Sequence, residues 1–237
     1  MSLSPCPQNP SLPLSLSGEL FGQLDLDLDS VPLENLADYS AVYYFLMLED
    51  EPPTDAGNLE KVHRYLEAFH HLQSVRDWNR ALKVLIATPD PRMEEELHNL
   101  LGIWGYSQQQ AEIYQTLLYQ VNAQCDTTCL NGLGHFCDTI ADYDRAIEYH
   151  QPHLQLAREI GDSTSEWLAL TGLGNACESK GQIESAIAPL REVRCEDWAM
   201  PTTFWGTLSK QFSSLSSVWR LLARRMISGE CEMLGRA

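Results

Sequence analysis

Among the first 60 residues there is no lysine or arginine, against 11 aspartates and glutamates. Over the whole chain of 237 residues, 16 basic side chains face 33 acidic ones, a formal charge of −17. Neutralising phosphates requires a dense cationic surface, so this balance excludes non-specific nucleic-acid binding and attraction to an anionic membrane. Long apolar runs are scarce too: the longest, 41–48, has eight residues, where a membrane span needs about 20. The first 20 residues hold no basic region and are broken by Pro5, Pro7, Pro10 and Pro13, which predicts no secretory signal. Seven cysteines, an odd number scattered through helical patterns, do not read as a disulfide framework in a chain of this size. Reduced thiols and a cytoplasmic location are expected.

Local signatures of catalysis are missing as well. There is no Gly-x-Ser-x-Gly, and Gly172-x-Gly174 leads into neither a strand-to-helix turn nor a Lys-Ser/Thr pair, so neither a nucleophile elbow nor a phosphate cradle is expected. Asp25-Leu-Asp-Leu-Asp29 opens like a calcium loop, but Ser30 replaces the turn glycine and Leu36 stands at the twelfth position. Cys125, Cys129, His135 and Cys137 superficially suggest zinc, yet Cys137 and Cys177 occupy one repeat position, for which a small buried residue is the simpler account. His150 falls on a packing face with His153 beside it, and packing or solvation accounts for both. The expectation is a non-catalytic protein with no metal and no cofactor.

What the chain does contain is a repeat. Leu130-Asn-Gly-Leu-Gly-His-Phe-Cys137 returns 40 residues later as Leu170-Thr-Gly-Leu-Gly-Asn-Ala-Cys177, and Ala146-Ile147 returns as Ala186-Ile187 at the same offset. Fainter copies precede: Asp77-Trp78-x-x-Ala81-Leu82 mirrors Asp142-Tyr143-x-x-Ala146-Ile147, and Ala111 lies between them. Each unit reads as two amphipathic helices, the first placing Leu130, Leu133 and Cys137 on one face and the second Tyr143, Ala146, Ile147, His150 and Leu154. Gly134 and Ala146 would put minimal side chains where paired helices approach closest. Ser163-x-x-Glu166 after Gly161-Asp162 reads as a capping box following a left-handed glycine, and Asp90-Pro91 before three glutamates reads as a helix start.

Leu133-Gly134, Cys137, Ala141, Tyr143 and Ala146, followed by the second helix ending at residues 157–162, resemble a tetratricopeptide repeat of the longer, roughly 40-residue kind common in bacterial and especially cyanobacterial proteins. Leu173-Gly174, Cys177, Gly181, Ile183 and Ala186 match as well. Residues 58–86, with Ala68, Leu72, Trp78 and Ala81, and residues 91–124, whose connection around Gly105-Tyr106 reads as shortened, are weaker copies. The resemblance implies an all-α superhelical solenoid of about four antiparallel helix pairs, whose first helices line a concave groove for an extended peptide or partner helix. Carried over position by position, the groove residues are Asn131, His135 and Asp138 in one unit and Thr171, Asn175 and Glu178 in the next, with His63, His70 and Gln73 as weaker equivalents. The family's best-known mode clamps a C-terminal carboxylate with lysines and arginine beside asparagines. Asn175 matches one such asparagine, but Thr171 stands at the companion lysine position, and Asp138 and Glu178 make the groove acidic. The implied function is a protein-interaction scaffold or adaptor for a basic or neutral segment of another protein. The alternative is the sensor arm of a signalling system with a STAND-type ATPase or a caspase-like peptidase.

Four segments follow. Residues 1–31 read as a disordered acidic tail, 32–57 as a helix over 32–48 plus an acidic proline linker, and 58–194 as the solenoid. In 195–237, Leu208, Phe212, Leu215, Trp219, Leu222 and Met226 describe an amphipathic capping helix. A partner-binding or membrane-surface helix, or a degenerate or frame-shifted terminus, are its alternatives. Net charge is −11 over 1–60, −7 over 61–194 and +1 over 195–237.

Overall fold

A computed structural model describes residues 16–181, apart from 50, 51, 54 and 91. Among the described residues there are nine α-helices and no strand, so the fold is all-α, with neighbouring helices packed together as in a helical-repeat solenoid. The expected second helix around Ala186 and the expected capping helix in 195–237 lie outside the described residues. The chain divides into two compact units, residues 1–107 and 108–237.

In the first unit, α1 (Leu16–Leu24) buries Leu20 and Leu24, one turn apart. The tail expected over 1–31 therefore does not extend through these residues. A helix leaves its last carbonyls without intrahelical donors, and α1 has no basic residue in its last turn to cover them. Cations distant in sequence do so. Lys83 Nζ donates to the Gln23 carbonyl at 2.8 Å, while Arg80 donates to the Leu24 and Asp25 carbonyls, each at 2.7 Å. Arg64, 4% exposed, donates to Ser17 Oγ at 2.9 Å. The single helix expected over 32–48 is three pieces: a 3-10 turn (Leu33–Asn35), α2 (Leu36–Tyr43) and a wide π turn (Tyr44–Leu48) that closes with the Glu49 N–H on the Tyr44 carbonyl.

Next come α3 (Asn58–Ser74) and α4 (Trp78–Leu85), with Val62, Ala68, Leu72, Ala81 and Val84 fully or almost fully buried. Each large aliphatic side chain so buried contributes about 2 kcal/mol. Tyr39 of α2 donates its hydroxyl to Asp77, and Asp38 pairs with His71 Nδ1 at 2.9 Å. Then α5 (Leu97–Ile103) starts later than Asp90-Pro91 implies. The Asp90 carboxylate accepts from the Arg92 N–H at 2.9 Å, an Asx turn that competes with helix, and Glu94 is left-handed at φ 52°.

The second unit contains α6 (Ser107–Leu117), α7 (Ala123–Thr139), α8 (Tyr143–Ile160) and α9 (Ser163–Ser179). The faint sequence parallel between Asp77 and Asp142 acquires a physical meaning here. Both cap their helices, accepting from Arg80 and Arg145 N–H at 3.3 Å, and each follows a left-handed residue, Arg76 or Ala141, both at φ 59°. Gly105 (φ 84°) and Gly181 (φ 76°) occupy the corresponding turns. The connection at Gly105-Tyr106 is thus no shorter than the others; the short element is α5 itself. After Gly161, left-handed at φ 70° as expected, the cap of α9 is Asp162 rather than Ser163, accepting from the Thr164 and Ser165 N–H groups. Glu166 instead pairs with Arg158 at 2.8 Å.

Candidate partner-binding face

The repeated glycines explain what shapes the α7–α9 face. The imidazole of His150, on α8, is fully buried between Gly134 of α7 and Gly172 of α9. A Cβ on Gly134 would stand 2.7 Å from His150 Nδ1, and one on Gly172 would stand 2.5 Å from the same atom, distances real Cβ atoms do not adopt. Gly132 does the same for Tyr114 of α6, whose ring fills the space a Cβ would need. Gly132 and Gly172 are one repeat apart. Each accepts a ring from the second helix of the preceding pair. The sequence reading of Gly134 as a site of close backbone approach is therefore replaced: the residue is small because a ring occupies its space.

Two of the expected site residues touch this ring. His135, exposed, meets His150 edge to face with ring centroids 5.6 Å apart, and Asp138 Oδ2 lies 3.4 Å from His150 Nε2. Partial desolvation of the His135 ring where it packs on the helix face, with the neighbouring His150, lowers its pKa although the residue keeps solvent access, and Asp138 opposes that shift. Asn131 Oδ1 and Asp138 Oδ1 are covered from solvent yet have no hydrogen-bond partner among the described residues. On α9, Thr171, Asn175 and Glu178 are half-buried, and the Thr171 hydroxyl is already committed to the Trp167 carbonyl at 2.9 Å. The weaker equivalents His63, His70 and Gln73 belong to the first unit, where His63 lies 4.0 Å from Glu49 and 3.8 Å from Glu67.

The sequence reading placed His150 on a packing face with His153 beside it, and both are packed, but it did not anticipate how few polar partners their rings have. Both are fully buried, His150 Nδ1 and both ring nitrogens of His153 have no hydrogen-bond partner among the described residues, and burial beside His150 and His135 pushes the His153 pKa down to about 4. The placement of His150 one turn after the marker Ala146 carried its burial in the sequence; nothing there carried the missing hydrogen-bond partners. Among the described residues no group of three or more His, Cys, Asp or Glu is arranged to hold a metal ion. The Asp27 carboxylate accepts from the Asp29 N–H at 3.1 Å, forming a turn. No helix among the described residues is long and apolar enough to cross a membrane.

Comparison with family models matches residues 129–164 to the tetratricopeptide repeat, a segment running from α7 through α8 to the start of α9. Curated proteins and solved structures give no match.

Proposed function

We propose that the chain is a non-catalytic interaction scaffold of the bacterial cytoplasm, and that the α7–α9 face receives a basic or neutral segment of a partner protein. The tetratricopeptide match supports a protein-interaction module. The observation that carries the partner's chemistry is the pair of acceptor oxygens on α7, Asn131 Oδ1 and Asp138 Oδ1, held without donors among the described residues on a face that also carries Glu178. Polar atoms in that condition cost free energy until a donor reaches them, and a lysine or arginine side chain supplies donors and charge together. Thr171 contributes shape rather than a free donor, because its hydroxyl is spent within α9.

The test begins with affinity capture from a bacterial lysate by full-length protein, followed by titration calorimetry with the captured partner. Asp138→Lys and Glu178→Lys should each weaken binding by about tenfold or more, the usual scale for reversing a charge at a contact. Circular dichroism verifies that each variant stays helical. Affinity unchanged in both variants would refute this assignment of the face.

A further inference from the structure

Four cysteines are free and buried in the described chain, and two of them touch. Cys125 and Cys129 stand one turn apart on α7 with their sulfur atoms 3.9 Å from each other. Cys137, further along the same helix, packs instead against Ala146 and Ala176. Cys125 is in the first turn of α7, where backbone N–H groups lack intrahelical partners and the helix dipole favours negative charge. It is also the least covered of the four, 7% exposed against 1–3% for the others. A hydrogen bond from the Cys129 thiol pulls the Cys125 pKa down against burial and the nearby Asp126, and the same contact with burial drives Cys129 upward. Burial pushes Cys137 and Cys177 up. Two sulfurs at this spacing could serve as half a thiolate metal shell, but no third ligand joins them among the described residues. Oxidation is the chemistry left to the pair.

We propose that Cys125 and Cys129 form a peroxide-reactive dithiol, with Cys125 as the attacking sulfur and Cys129 as the resolving one. The Cys125 thiolate attacks one peroxide oxygen, the O–O bond breaks, and Cys125 becomes a sulfenic acid as hydroxide departs and takes a proton to become water. The Cys129 sulfur then attacks the sulfenic sulfur. The S–S bond forms, the S–O bond breaks, and the hydroxyl leaves with the Cys129 proton as a second water. Two thiols lose two electrons and one hydrogen peroxide gains them. A disulfide needs Cβ atoms about 3.8 Å apart, whereas helical neighbours at this spacing keep theirs roughly 5–6 Å apart. Closure therefore unwinds the first turn of α7. That turn holds the Asn122 cap on the Cys125 N–H at 2.9 Å and the Asp126 bond to the Tyr119 N–H at 2.6 Å, so oxidation loosens the connection between α6 and α7.

The test exposes the unsubstituted full-length chain to hydrogen peroxide, quenches with iodoacetamide and maps each cysteine by mass spectrometry. Cys125 and Cys129 should lose alkylation together, about tenfold faster than Cys137 and Cys177, because the thiolate character of Cys125 sets the rate and Cys129 resolves its sulfenic acid. Their peptides should be two hydrogens lighter, and dithiothreitol should restore them. In Cys129→Ser, dimedone should trap a sulfenic acid at Cys125. Equal rates at Cys137 or Cys177, or pairing of Cys125 with any other cysteine, would overturn the proposal. The first measurement requires no substitution, so it decides the matter even where Cys129→Ser fails to fold.

Discussion

A glycine inside a helix usually weakens it, by about 1 kcal/mol relative to alanine, and α7 and α9 keep theirs because side chains from other helices fill the missing volume. His150 is held from both sides, so neither Gly134 nor Gly172 has an alternative place to push it. Gly172→Ala should destabilise by about 1–3 kcal/mol, the cost of overpacking a filled core, measured as a lower urea midpoint. Gly22→Ala, in α1 with nothing within 4 Å of the added Cβ, should instead be neutral or stabilising. Equal losses at the two positions would mean that the His150 ring is not the cause. The repetition of these glycines was legible in the sequence; the ring each one accepts was not. Tyr114 follows its marker alanine by three residues and His150 follows its own by four, so no single spacing identifies the partner side chain.

Helix pairs were readable because their turns repeat, and the turns repeat because a left-handed residue and an aspartate cap recur. Gly161 and Gly181 announce such turns in the sequence, whereas Arg76 and Ala141 do not, since a side chain at positive φ leaves no compositional trace. That conformation costs a non-glycine residue roughly 1 kcal/mol. Ala141→Gly should therefore stabilise the second unit by about 0.5–1 kcal/mol, even though glycine raises unfolded-state entropy. A rise in the thermal midpoint checks it, and a fall would show that the turn at Ala141 carries no strain. Helix α1 escaped prediction for a different reason. Its apolar pair Leu20 and Leu24 is weak alone, and the side chains that complete it are 47 to 60 residues away. Local periodicity registers what a helix buries and not which distant cation finishes its end.

At the scale of the molecule, acid should be the condition that exposes the buried histidines. His153 has a folded pKa of about 4 against 6.5 when unperturbed, so between those values the unfolded chain binds a proton that the folded chain refuses. Its contribution to stability is complete above pH 6.5 and is lost as pH falls towards 4, about 3 kcal/mol in all from this one group. Urea titrations at pH 7 and pH 4.5 should show a smaller loss in His153→Leu than in the parent, because carboxylates act equally on both; identical losses would remove His153 from the account. The first unit has an analogous dependence on a neighbour, though one of boundaries rather than protons. The period of the repeat invites a fragment beginning near residue 58, yet Arg80 and Lys83 deliver their donors to carbonyls of residues 23–25. Such a fragment would strand those donors and uncover the apolar surface that Leu20 and Leu24 occupy. Any excision of the repeats for study must therefore be made upstream of Leu16, and a minimal version cut at the repeat boundary would report the behaviour of a damaged unit.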